Sequence, residues 1–282
     1  MTSTARAALV TGCSSGIGRA SALALLGKGF VVYATARRPE TLDALAARGC
    51  RTLALDVTSE ESMVAAVRAV EAEHGHVEVL VNNAGYALQG PVEECSLDSV
   101  RAQFDTNVFG LVRLCQLVLP GMRAAGSGRI INIGSMGGRF TFPGGGFYHA
   151  SKHAVEAISD ALRLEVAPFG VRVSLVQPGP VVSSFVDAAV DSVDVTEGPY
   201  ARFNQDLVDR YRQAYDGSAS NLEISPEKVA DVIATAATVA RPRSRYAVGA
   251  MARSLITTRR LLPDVAWDAV VRQTWPTPKR SA

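Results

Sequence analysis

Short apolar runs alternate with longer amphipathic stretches through the first 180 residues. The runs at 7–10, 31–34, 52–55, 77–81, 129–133 and 172–176 are rich in Val, Ile, Leu and Ala and do not alternate strictly with polar residues. A strand with one wet face would alternate, so unbroken apolarity predicts strands covered on both faces, as in a parallel sheet. Between them, segments of helical period at 16–26, 39–47, 59–74, 97–122 and 148–167 predict helices. Thr58-Ser59-Glu60-Glu61 supplies an N-cap with acids in the first turn, and the stretch from Ser96 to Ser99 offers a second start.

Strand–helix–strand repetition with right-handed crossovers predicts a doubly wound parallel α/β sheet of the Rossmann type, with helices on both faces. After Pro178-Gly179-Pro180 the rhythm changes. Residues 181–222 are irregular, Ser225-Pro226-Glu227-Lys228 opens another helix to about Ala240, and 245–248 resembles a last strand. The expected organisation is a single domain, with a cofactor-binding and catalytic core over 5–180, a substrate lid over 181–222 and a C-terminal extension over 250–282.

Composition narrows the classes. At 48% hydrophobic and 20% charged residues, the chain has the make-up of a globular protein, which excludes disordered or disulfide-scaffold classes. A net charge of +2 with no basic stripe gives no reason to expect nucleic-acid binding. The best apolar stretch, Leu111 to Met122, is broken by Arg113 and Pro120, so no integral membrane segment is expected. Strand-like sequence begins at Ala7, so no secretory leader is expected. The cysteines, Cys13, Cys50, Cys95 and Cys115, lack metal-ligand spacing, which points to reduced thiols in a cytoplasmic protein and to no metal.

The first strand runs into Thr11-Gly12-Cys13-Ser14-Ser15-Gly16-Ile17-Gly18 and then directly into a helix. Glycines there let the backbone turn tightly against a pyrophosphate, whose charge is favoured at a helix N-terminus. The spacing is G-x-x-x-G-x-G, and the Gly-Lys-Ser/Thr of a Walker loop is absent. The second strand ends Tyr33-Ala34-Thr35-Ala36-Arg37-Arg38. Ala36 stands where an acid would hold the adenosine ribose of NAD, and Arg37 and Arg38 offer guanidinium groups suited to the extra phosphate of NADP. The cofactor expected is therefore NADP(H). Asp56 and Val57 end the third strand, where Asp56 either reaches an adenine edge or caps the next helix. Asn82-Asn83-Ala84-Gly85 ends the fourth, with small residues for close cofactor approach and asparagines able to tie strand ends together.

The fifth strand ends at Gly134-Ser135, and Tyr148-His149-Ala150-Ser151-Lys152 opens the helix that follows. Tyr148 and Lys152, four residues apart, share one helix face with Cβ atoms about 6 Å apart. An ammonium beside a phenol favours the phenolate and makes the tyrosine an acid/base near neutrality.

In Thr11 to Gly18, Asn82 to Gly85, Asn107, Ser135, Tyr148, Lys152 and Pro178-Gly179, the chain resembles the short-chain dehydrogenase/reductase family over about residues 5–250. Within it, Thr11 to Gly18, Tyr33-Ala34-Thr35 and Pro178-Gly179-Pro180-Val181 resemble the branch of 17β-hydroxysteroid and retinol dehydrogenases. The resemblance implies that Tyr148 is the acid/base and that Ser135 stabilises the reacting oxygen. It implies that Lys152 holds the nicotinamide ribose and that Asn107 positions a water in a proton relay. It implies cofactor contacts at Gly12, Ser14, Ser15, Gly16, Ile17, Gly18, Asn83, Ala84, Gly85, Tyr148, Lys152, Pro178, Gly179 and Val181. Ser183 stands where the family usually has threonine. The resemblance also implies a homodimer or homotetramer, pairing through the helices at 97–122 and 148–167.

On the substrate side, Met136 and Phe142 lie between Ser135 and Tyr148, and Phe185 opens the lid, which gives three candidates for an apolar pocket. Gly144-Gly145-Gly146 either makes room or lets the loop bend. His149 and His153 are expected to face solvent. The tail, with Trp267 and Trp275, is expected to pack over the pocket or at a subunit interface in preference to a membrane surface. The favoured function is interconversion of a carbonyl and an alcohol on a small lipophilic substrate. Alternatives are a polar or acyl-carrier substrate and a catalytically silent cofactor-sensing protein.

Overall fold

The computed structural model describes residues 6–181, 189–195, 197–214 and 224–278. The strands are β1 (Ala7–Val10), β2 (Val31–Ala36), β3 (Arg51–Ala54), β4 (Val79–Asn82), β5 (Gly128–Ile133), β6 (Val171–Pro178) and β7 (Arg245–Val248). The helices are α1 (Gly16–Leu26), α2 (Asp43–Ala46), α3 (Glu60–His74), α4 (Leu97–Phe104), α5 (Gly110–Ala125), α6 (Gly146–Glu165), α7 (Ala201–Ala214), α8 (Pro226–Thr238), α9 (Ala250–Leu261) and α10 (Asp264–Thr274). The seven strands form one parallel sheet in the order β3-β2-β1-β4-β5-β6-β7. Strand order reverses between β1 and β4, and in such sheets ligands bind in the crevice at the carboxyl ends of these strands.

The apolar strands are explained by two cores, one on each face. Along β1, Ala8 and Val10 enter a cluster with Ala22 and Leu25 of α1 and Val229, Ile233 and Ala237 of α8. Ala7 and Leu9 enter the other, with Val67 of α3, Leu114 and Val118 of α5 and Val155 of α6. The two-residue strand period thus serves both layers, and neither side needs a polar position.

Helix 97–122 of the sequence reading is one helical rod in three parts. A π-helical segment, Asp105–Phe109, separates α4 from α5 and contains Asn107. Such a wide turn inside an α-helix is a common device at functional sites, because it re-aims side chains. The stretch Leu97–Ala125 is long and apolar enough to cross a membrane. Its apolar face is instead spent in the core, through Leu111, Leu114, Cys115, Val118 and Met122.

The expected helix at 39–47 is a 3-10 turn, Pro39–Leu42, followed by the single turn of α2. Ser59 caps α3 by accepting from the Ser62 amide at 3.3 Å, so the capping alternative for Asp56 is excluded. The four cysteines are free thiols. Ser183 and Phe185 lie outside the described residues.

Candidate active site

At the switch point, Thr11 and Asn83 join the β1 and β4 loops. Asn83 donates from Nδ2 to the carbonyl oxygens of Thr11 and Gly12, at 2.9 and 3.1 Å. Thr11 Oγ1 accepts from the amides of Asn83 and Ala84, both at 2.9 Å. One strand further, Asn82 donates to Asn132 Oδ1 at 3.0 Å, and Asn132 donates to Ser159 Oγ of α6 at 2.9 Å. The ends of β4 and β5 are therefore tied by side chains to each other and to the body of α6.

The glycine loop fits a phosphate-bearing dinucleotide. Gly12 and Gly16 have φ of +69° and +53°, backbone that side chains rarely adopt. A Cβ on Gly18 would sit 2.2 Å from the Gly12 carbonyl oxygen and 2.6 Å from Asn83 Nδ2. The loop thus closes onto α1 with no room for a side chain. The α1 N-terminus carries no acid in its first turn, which leaves its dipole for an external anion. Ser14 and Ser15 are exposed beside it, as are Arg37 and Arg38 just beyond β2.

Asp56 Oδ1 accepts from the Thr58 amide and hydroxyl at 2.9 and 2.7 Å. Burial pushes its carboxyl up, but these bonds and the nearby Arg37 charge outweigh that and hold it below the usual value. Val57 is buried behind it. Pro178, Gly179 and Val181 follow the β6 end. Gly179 donates to the Val248 carbonyl at 2.9 Å, and Val181 pairs with Ile224.

Ser135, just beyond β5, and Tyr148, in the first turn of α6, are joined by a side-chain hydrogen bond. Burial raises the Tyr148 phenol above its ordinary pKa, and the Ser135 bond opposes this. Lys152 lies one turn on, its Nζ 5.9 Å from the Tyr148 ring centre and 2.9 Å from the Ile133 carbonyl it donates to. Burial pushes Lys152 down to about 8. Desolvation therefore drives both groups toward their neutral forms, the opposite sense for Tyr148 from the lowering expected of a neighbouring ammonium.

Asn107 donates to the Tyr86 carbonyl at 2.8 Å and to Ser151 Oγ at 3.1 Å, and accepts from the Tyr86 amide at 3.0 Å. Both of its amide donors are used. The side chain holds the Gly85-Tyr86 turn against α6.

His149 is buried, and its Nδ1 lies 2.8 Å from the Gly137 carbonyl oxygen, which corrects the solvent-facing expectation. His153 is exposed as expected. Met136 and Phe142 share one apolar cluster with Phe140, Leu255, Ile256, Leu262, Trp267, Val271 and Trp275. Phe142 is stacked between Trp275 at 4.7 Å and Trp267 at 6.3 Å, both at an interplanar angle of 15°. Trp275 also donates from Nε1 to the Pro143 carbonyl at 2.9 Å and meets Tyr211 of α7 edge-on at 5.6 Å. The sequence suggested a tail over the pocket but gave no sign that Trp275 joins three elements.

A profile of the family described as short chain dehydrogenase matches residues 6–193. Human (Homo sapiens) 17-beta-hydroxysteroid dehydrogenase type 1 is 39% identical over 272 residues, covering 90% of this chain and 78% of that protein. A short-chain dehydrogenase structure from Streptomyces avermitilis is 36% identical, with a TM-score of 0.79, over 97% of this chain and 99% of that one. The closed form of serine dehydrogenase complexed with NADP+ is 28% identical, with a TM-score of 0.75, over 86% of this chain and 94% of that one.

Proposed function

The chain belongs to the short chain dehydrogenase family, and from that membership we propose that it transfers hydride between NADP(H) and the carbonyl or alcohol carbon of a lipophilic substrate. The observation that carries the chemistry is the hydrogen-bonded Ser135–Tyr148 pair, with Lys152 one turn away on the same helix. Bound cofactor would supply the hydride. In reduction, Tyr148 donates its proton to the carbonyl oxygen while the Ser135 hydroxyl stabilises the charge that develops there. Burial raises the phenol further above its ordinary value, so Tyr148 enters reduction holding its proton. As the proton leaves, the Lys152 ammonium stabilises the phenolate. Asn107 acts at one remove, holding Tyr86 and Ser151 in place.

Gly12, Ser14, Ser15, Gly16, Ile17 and Gly18 would hold the pyrophosphate, and Arg37 and Arg38 the 2′-phosphate. Asp56 and Val57 would meet the adenine, and Asn83, Ala84 and Gly85 the adjoining ribose. Lys152 and Tyr148, with Pro178, Gly179, Val181 and Ser183, would hold the nicotinamide end. The solved relative bound to NADP+ supports the choice of phosphate form, as do the two exposed arginines that follow Ala36, the position where an acid would select NAD.

Lipophilic specificity is supported by the Met136–Phe142 loop, which lies between Ser135 and Tyr148 and packs as one apolar cluster with the C-terminal helices. A relative named for a hydroxysteroid agrees with it. Assembly into a homodimer or homotetramer belongs to the same reading. It is supported by Leu97, Phe109, Leu164 and Phe169, large apolar side chains left exposed on α4, the π segment, α6 and the turn that follows.

The test is oxidation of NADPH and NADH by the purified protein against ketones and aldehydes ranging from steroid and retinoid carbonyls to small polar ones. Turnover should concentrate on the bulky apolar members, with NADPH preferred. Arg37→Ala should cut that preference about tenfold, the worth of one charge-assisted phosphate contact. Turnover confined to small polar carbonyls would overturn the substrate class, and a preference for NADH would overturn the cofactor.

A further inference from the structure

Tyr148 is followed by a histidine that the proposed chemistry leaves unused. Successive helix residues point about 100° apart, so His149 lies beside Tyr148 and meets the back of the turn that carries Ser135. It is 6% exposed. Its Nδ1 is 2.8 Å from the Gly137 carbonyl oxygen. A carbonyl only accepts, so Nδ1 carries the proton and donates. The same Gly137 donates its amide to Ser135 Oγ at 3.0 Å. One residue, Gly137, therefore links the imidazole to the serine hydroxyl, which is itself bonded to Tyr148.

The contact is close along its whole length. A Cβ on Gly137 would lie 2.5 Å from His149 Nδ1, and one on Gly138 would lie 2.9 Å from the Lys152 carbonyl oxygen. The 3-10 turn Met136–Gly138 thus lies against α6, with glycines at both touching positions. On its far edge the ring is backed by Gly145, where a Cβ would be 2.9 Å from Nε2. Phe142 meets it edge-on at 6.0 Å and Tyr148 at 5.7 Å.

We propose that His149 is a positioning residue, whose Nδ1–H fixes the turn carrying Ser135 at hydrogen-bonding distance from Tyr148. The assignment rests on the proposed reductase reading. Burial, with a smaller push from His153 and against the Gly137 bond, moves the imidazole down to about 4. It therefore stays neutral, with a single donor, across the working range. A proton-transfer group would sit near neutrality, so this imidazole acts as a strut.

Two isosteres separate the ring's nitrogens. His149→Asn keeps a donor at the Nδ1 position, and His149→Gln keeps a polar atom only near Nε2. With the fastest ketone of the panel above, we expect His149→Asn to stay within about threefold of wild-type kcat. His149→Gln and His149→Ala should lose about 10- to 100-fold, the cost of misplacing a reacting group by a fraction of its contact distance. NADPH affinity, measured by fluorescence titration, should stay within about twofold in all three.

Equal kcat for the Asn and Gln variants would overturn the proposal. So would loss of NADPH binding in all three, which would make His149 a general packing residue. Tyr148→Phe separates the two failures. If it leaves turnover intact, the reductase reading falls and takes the strut with it. If it abolishes turnover while His149→Gln matches wild type, only the strut falls.

Discussion

The loop between β1 and α1 and the loop between β5 and α6 lie at the same end of the sheet, yet they are held in place by different physics. In the first, backbone meets backbone. Gly12 and Gly16 take positive φ, and Gly18 approaches the Gly12 carbonyl so closely that no Cβ fits. In the second, beyond the close Gly137-Gly138 turn, side chains do the holding. Phe142 is stacked between Trp267 and Trp275, and Trp275 reaches back to the Pro143 carbonyl from 132 residues away. A surface made of backbone is shaped once and tolerates no added atom. One made of stacked rings can be retuned by exchanging them, and that suits a family in which one cofactor serves many substrates.

The sharpest test of that contrast is Gly18→Ala. Its methyl group meets a carbonyl oxygen and Asn83 Nδ2, neither the free end of a flexible chain. Overpacking of this kind costs about 1–3 kcal/mol. Because the loop is what shifts, NADPH dissociation should rise by up to roughly 100-fold while the fold survives. Fluorescence titration of NADPH measures it. A change of twofold or less would mean that the loop is no more rigid than the aromatic side.

The same contrast explains what could be read from the sequence. Glycine spacing, the Ala36-Arg37-Arg38 end of β2 and the Tyr148–Lys152 pair are local patterns, and each lies in its predicted place, in the turn after β1, at the end of β2 and in the opening turns of α6. The π segment at Asp105–Phe109 carries no proline or paired glycines to mark it, so the rod read as continuous. The burial of His149 is invisible to a local pattern because the inward face of α6 is mostly polar. His149, Ser151, Lys152, Glu156 and Ser159 are all buried there beside a single apolar residue, Val155, so hydrophobic periodicity has little to register at the polar positions. Glu156, for instance, is satisfied by Gln177 of β6 at 2.5 Å and Arg245 of β7 at 3.0 Å, partners that no local pattern connects. The Trp275 contacts are hidden for the same reason, since they join chain segments far apart in sequence.

Trp275→Ala probes the other side of the comparison. It removes the Pro143 hydrogen bond, the Phe142 stack, the Tyr211 edge contact and an Arg210 guanidinium 5.6 Å over the indole. With the loop and α7 uncoupled, KM for a bulky ketone should rise about tenfold, from roughly 1–2 kcal/mol of lost aromatic support. NADPH affinity should not move. Steady-state kinetics with cofactor and ketone varied separately would show it, and weakened NADPH binding would mean that the two regions behave as one unit.

A separate test lies on α6, which joins the two regions, and it is read as stability against pH. His149 goes from 6.5 when unfolded to about 4 in the fold, because burial disfavours its charged form. Between those values the unfolded chain binds more protons than the native one, so stability rises with pH across that window and is lost as pH falls from 6.5 through 4. The full gap is worth roughly 3 kcal/mol. Lys152, pushed to about 8 by burial, has the same sign in a separate window between 8 and 10.5. Comparing wild type with His149→Asn isolates the acid window, since the asparagine cannot titrate and other groups cancel in the difference. Urea unfolding at pH 7 and pH 4.5 should show wild type losing about 2–3 kcal/mol more than the variant. Parallel losses would mean that the imidazole takes up its proton while folded, and a charged ring beside Tyr148 is incompatible with a neutral strut.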